Sequence, residues 1–223
     1  MLERRSDRNV KQRILRELKW DSRIPWASID VSVSDGVVTL NGTVLSYAHK
    51  IAAQEAAHRV AGVLDVANDI EVRPVDGFFR TDSEIAAAVR NALEWDALVP
   101  NEQIRSTVSD GLVMLEGEVD YQRERTDAER AIRRLAGVVD VINNITIRKQ
   151  VIDAKRLREE IEFALERRAD REAERLRIEV NDDEVDLWGR VHSWQERRAV
   201  LGSISHAQGV IKIRDHLRID PYF

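Results

Sequence analysis

Cysteine is absent from this 223-residue chain, which excludes disulfides, thiolate metal sites and cysteine nucleophiles. Aromatic residues make up only 5%, and no apolar run approaches the ~20 residues of a membrane-spanning helix. Neither sign of charge dominates: 35 Lys and Arg face 40 Asp and Glu, for a net charge of −5. That balance, with no aromatic-plus-basic cluster along the chain, sets nucleic acid aside as a partner. The opening stretch MLERRSDRNVKQRILREL has no apolar centre of the kind a secretory signal needs, so the expected location is cytoplasmic. G-x-S-x-G, Walker, G-x-G-x-x-G and H-E-x-x-H motifs are all missing. The five histidines, His49, His58, His192, His206 and His216, never fall three or four apart, so they are expected on the surface rather than around a metal. No catalytic residue, cofactor or metal ligand is expected, and the reading is of a non-enzyme.

What is present is repetition. Gly36, Gly42 and Gly62 recur 75 residues later as Gly111, Gly117 and Gly137. Sliding residues 7–73 onto 82–148 gives 25 identities in 67 positions, among them Trp20/Trp95, Asp21/Asp96, Pro25/Pro100, Asp35/Asp110 and Asn68/Asn143. Chance would give about one match in 15–20. A third, diverged copy lies 72 residues further on, where Gly117 and Gly137 fall on Gly189 and Gly209. There Trp95-Asp96 becomes Arg167-Arg168, Pro100 becomes Glu172 and Gly111 becomes Asp183.

Each copy reads as helix, strand, strand, helix, strand. Val10, Ile14 and Leu18 recur every fourth residue behind a Ser6/Asp7 cap, and Pro25 is expected to help end that helix. Ile29, Val31 and Val33 then alternate with polar residues up to Asp35-Gly36, a strong hairpin signal, after which Val38, Leu40, Gly42 and Val44 resume the alternation. A helix over 46–61 buries Ala52, Ala53, Ala56, Ala57 and Val60, with Gly62 expected as its C-cap, and a last strand runs to Val72. The strand–helix–strand crossover should be right-handed and place two helices on one face of the sheet.

The pattern W-D-x3-P-x3-I-x-V-x-V-x-D-G-x-V-x-L-x-G-x-V, a helix, then A-G-V-x-D-V-x-N-x-I, resembles the BON domain, a family named for bacterial osmotically inducible and nodulation proteins. Residues 20–72 and 95–147 match it strongly, and 167–219 weakly. The resemblance implies an α+β fold of three tandem αββαβ units, at 6–74, 80–148 and 152–220, each a three-stranded mixed sheet with two helices packed on one face. It implies a non-catalytic, transport-associated or osmotic-stress role: holding anionic phospholipid, a membrane surface or an envelope partner. By the same analogy a periplasmic or membrane-peripheral location is the alternative to the cytoplasm. A soluble protein–protein or chaperone-like stress module is the second reading, and cation sensing through turn carboxylates a third.

Contact residues are fewer than structural ones. Phe78, Phe79 and Arg80 in the first linker, with Trp26, are the candidates for touching lipid or a partner. Trp20 and Trp95 are expected to pack into the core or against the sheet, with a membrane-interface anchor as the alternative. Asp35, Gly36, Gly42, Gly62, Asp110, Gly111, Gly117, Gly137, Gly189 and Gly209 are assigned to turns and caps.

Overall fold

The computed structural model of the chain describes residues 2–74, 80–148, 157, 159, 161, 176–181, 184–205, 207 and 210–220, with side chains from Asp7 onward. It contains three separate three-stranded sheets, one for each copy of the repeat. The first repeat runs α1 (Leu2–Trp20), β1 (Ile29–Ser34), β2 (Val37–Val44), α2 (Tyr47–His58) and β3 (Asp65–Val72). The second runs α3 (Asp82–Trp95), β4 (Ile104–Ser109), β5 (Leu112–Val119), α4 (Gln122–Ile132) and β6 (Asp140–Ile147). In the third, Leu157 and Ile161 lie in a helix, followed by β7 (Arg177–Asn181), β8 (Glu184–Val191), α5 (Trp194–Ile204) and β9 (Lys212–Ile219).

The hairpin strand comes first in every sheet and the crossover strand last, giving the orders β1-β2-β3, β4-β5-β6 and β7-β8-β9. β1 pairs antiparallel with β2 and β2 pairs parallel with β3; β7, β8 and β9 repeat this arrangement. The mixed sheet follows from connection length: two residues suffice to reverse a strand, whereas a parallel return needs a helix. Asp35 and Gly36 have φ of 50° and 77°, and Asp110 and Gly111 have 51° and 76°, so both hairpins turn through two consecutive left-handed residues, the geometry that Asp-Gly favours.

Alternation decides which side is buried. Ile29, Val31, Val38, Leu40, Val44 and Ile70 turn inward beneath α1 and α2, where Val10, Ile14, Leu18 and the alanines 52, 53, 56 and 57 meet them. In the third repeat Leu157, Ile161, Ile178, Val185, Leu187, Val191, Ile204, Val210 and Leu217 form the corresponding cluster. Residues between these inward positions leave the opposite face of the first sheet in water.

Several local expectations are corrected. Helix α1 begins at Leu2, so Asp7 lies inside it and does not cap it. The helices end at Trp20 and Trp95, five residues before Pro25 and Pro100. Asp21 accepts from the Arg23 N–H at 3.2 Å and Asp96 from the Leu98 N–H at 3.0 Å, local bonds that compete with another helical turn. The prolines instead lead into short 3-10 turns at Trp26–Ser28 and Asn101–Gln103. Helix α2 closes with Arg59 as its C-cap, so Gly62 is a turn glycine (φ 93°) rather than the cap, and a Cβ there would lie 3.1 Å from Val10.

Candidate binding surfaces

The recurrent turn residues are braced from the helix that precedes them. Asp7 accepts the N–H groups of Asp35 and Gly36, each at 3.1 Å, and Asp82 accepts those of Asp110 and Gly111 at 2.9 and 3.0 Å. One carboxylate thus ties the tip of each hairpin to a helix and satisfies two donors of the left-handed turn. Gly42 and Gly117 answer a different need: a Cβ at either would sit 2.1 Å from the carbonyl oxygen of Ser28 or Gln103. Gly189, with φ of 152°, also has the positive φ seen at Gly42 (132°) and Gly117 (149°). Gly209 falls outside the described residues.

A second internal brace recurs on the crossover side. The Asn68 side-chain amide donates to the Lys50 carbonyl and to Gln54, while its Oδ1 accepts from the Ile70 N–H. Asn143 does the same with Arg125, Glu129 and Ile145. In the third repeat the equivalent residue is Asp215, which takes Arg197 Nε at 2.7 Å and still accepts the Leu217 N–H. The identity of Asn68 and Asn143 was the visible signal, but their partners lie 14 and 18 residues away on a helix. Asp21 binds Arg23 and also Arg59, which reaches Glu17 as well. The Arg23 guanidinium, more than any other group, holds the Asp21 carboxyl far below the usual carboxylate range, against a smaller opposing push from burial.

The tryptophans depart from expectation. Trp20 and Trp95 are 87% and 90% exposed, so neither packs in a core. Each is the last residue of its helix, two positions beyond the buried stripe that ends at Leu18 in α1 and at Leu93 in α3. Trp26 is 43% exposed, with Lys19 Nζ 5.3 Å from its ring centre. Arg80 is exposed and borders a cavity of about 400 Å³ with Pro74, Thr81, Asp82 and Val139. Phe78 and Phe79 lie outside the described residues. Trp26 and Arg80 are thus accessible, while one of the cavity's two acids, Asp82, is already committed to the hairpin.

The histidines are not uniformly surface groups. His58 is 8% exposed, buried at the end of α2. His216 stacks on Trp188 with ring centres 5.2 Å apart and planes 12° from parallel, and its Nε2 lies 3.1 Å from Asp186, itself 6% exposed. The Arg177 guanidinium covers Trp188, 5.6 Å from the ring centre. Three strands therefore place Arg177, Trp188 and His216 in one row on the open face of β7-β8-β9, joined by the pairings Arg177↔Trp188 and Trp188↔His216. An aromatic-plus-basic surface exists after all; its members are 11 and 28 residues apart in sequence, and only the sheet brings them together. Arg214 adds ion pairs to Glu184 and Asp186 on the same face. Among the described residues, no group of three His, Asp or Glu side chains is placed to hold a metal ion, and no helix is long and apolar enough to cross a membrane.

Over 122 residues the chain is 32% identical to "Osmotically-inducible protein Y" of Escherichia coli (strain K12), a match covering 52% of this chain and 60% of that protein's length. It is 28% identical over 126 residues to "Uncharacterized protein in gshII 5'region" of Anaplasma centrale, covering 55% of this chain and 83% of that one. Among solved structures, CdsD, a structural protein of the type III secretion system of Chlamydia trachomatis, aligns over 94% of this chain and 91% of its own at 11% identity, with a TM-score of 0.28. The BON domain family model matches residues 6–74, 81–149 and 153–221. With three matches spanning nearly all of its length, the chain belongs to the BON-domain family.

Proposed function

We propose that this protein is a non-enzymatic binding protein that holds a phospholipid surface and serves an envelope-associated role in osmotic stress. One observation carries the reading: Trp20 and Trp95 occupy equivalent positions in two repeats and stand almost fully in water. An indole offers 150–250 Å² of surface, and at ~25 cal/mol per Å² leaving it exposed forgoes several kcal/mol. Keeping that arrangement twice makes sense if the rings are reserved for another phase, and Trp prefers the membrane–water interface.

The surroundings fit. Next to Trp20 in sequence is Lys19, whose ammonium lies over the half-exposed Trp26; beyond Trp95 comes Leu98, 54% exposed. Each cation near an anionic surface contributes ~1 kcal/mol, so several act together. The name of the Escherichia coli relative, osmotically-inducible protein Y, supports the link to osmotic stress.

Flotation with vesicles of phosphatidylglycerol and phosphatidylcholine, or of phosphatidylcholine alone, tests the reading. The chain should float with the anionic vesicles, salt should weaken the association, and Trp20→Ala and Trp95→Ala should each reduce it. Equal recovery with the two vesicle types, or variants that float like the parent, would count against it.

A further inference from the structure

The open faces of the first and third sheets differ in a directed way. On the first, Asp30, Asp65, Asp69 and Glu71 point outward and are exposed, and no outward position of β1, β2 or β3 holds Lys or Arg. The equivalent residues of the third are Arg177, Lys212, His216 and Arg218, also exposed. Every one of the four carboxylates has been replaced by a basic residue. The correspondence is geometric as well as sequential: the row Asp30↔Asn41↔Asp69 in the first sheet is the row Arg177↔Trp188↔His216 in the third. The second repeat, with Arg105, Asp140, Asn144 and Thr146 at these positions, lies between the two.

We propose that the open sheet face of the third repeat docks onto the open sheet face of the first repeat in a second copy of this chain, joining molecules head to tail. Charge complementarity is the argument: opposite signs steer encounter and disfavour pairing of like faces. The third face also keeps Glu179, Glu184 and Asp186 among its cations. A polyphosphate would meet those acids with repulsion, whereas a protein face of spaced carboxylates and small hydroxyl residues such as Ser32 and Thr39 can interleave with them. Trp188, held between Arg177 and His216, supplies the aromatic and arginine centre that protein interfaces favour. Because the two faces are different surfaces, the contact is heterologous and leaves one face of each kind free at the ends of an assembly. This inference is independent of the lipid reading, and its test contains no vesicle.

Sedimentation velocity over ~1–100 μM should show association of the full chain that weakens about tenfold as salt rises and screening lengths fall from ~14 to ~4 Å. The variants Asp30→Lys/Asp69→Lys and Lys212→Glu/Arg218→Glu should each be monomeric alone. Mixed in equal amounts they should associate with each other, since the mixture retains one intact face of each kind. The milder Asp30→Asn/Asp69→Asn, which introduces no new charge, should weaken association in the same direction, and circular dichroism checks that each variant is folded. A wild-type chain that stays monomeric at 100 μM in low salt overturns the proposal. So does a variant that associates as strongly as wild type, or a folded mixture that fails to pair.

Discussion

Replacing Gly117 with alanine is the sharpest test of the packing. The new Cβ would lie 2.1 Å from the Gln103 carbonyl oxygen, 3.1 Å from its carbon and 3.2 Å from Ile104 Cα. Normal carbon–oxygen contact begins above 3 Å, so β4 and β5 must separate by about an ångström where they are hydrogen-bonded, and no flexible side chain can yield instead. Gly117 also has φ of 149°, a backbone that side chains resist. Steric displacement of paired strands together with backbone strain amounts to ~3–5 kcal/mol, a large share of the 5–15 kcal/mol available to a domain. Urea unfolding with hydrogen exchange followed by mass spectrometry should show that loss in the second repeat. Gly202→Ala is the internal control: it lies within α5 with nothing inside 4 Å of the added carbon, and should gain ~0.5–1 kcal/mol from helix propensity. If Gly117→Ala cost less than 1 kcal/mol, the claim that this glycine exists for close approach would be wrong.

Asp82→Ala should destabilise the second repeat by ~2 kcal/mol, because two turn N–H groups lose a charged acceptor; Asp82→Asn, with one acceptor oxygen left, should fall between, and a loss under 0.5 kcal/mol by urea titration would refute the brace. Asp21 sets an acid limit for the first repeat. Its folded pKa lies below its ordinary value of 3.8, so its stabilisation is present above that pH and is lost as pH falls further. Thermal melts between pH 5 and 2 should show Asp21→Asn with a shallower decline than wild type, and parallel declines would refute the ion-pair account.

How much could be read from the chain depends on the range of the interaction. The hairpins were legible because Asp35-Gly36 and Asp110-Gly111 need only their own backbone angles. The buried stripes were legible because helix and strand periods are local. The Asp7 and Asp82 braces were not, since they close over 28 and 29 residues; Asp7 was visible only as a cap candidate. Gly62 was misassigned because a helix end is set by where its last carbonyls find partners, and Arg59 meets that need earlier. Trp20 and Trp95 misled for a simpler reason: apolarity predicts burial on average, yet it says nothing about a ring placed beyond the end of its helix's buried stripe.

Where the repeats agree and where they diverge follows from what each position faces. Leu40, Leu115 and Leu187 are fully buried, as are Val38, Val113 and Val185, because any change of volume there opens a void or forces strands apart. Outward positions carry no such penalty. At one of them the three repeats hold Asp30, Arg105 and Arg177, and at another Asp69, Asn144 and His216, on the same lattice of strand pairings where it can be compared. A fold written three times with one interior and three exteriors presents different chemistry at equivalent points. The chemistry that distinguishes the repeats therefore resides on the outward faces, where substitution leaves the core untouched.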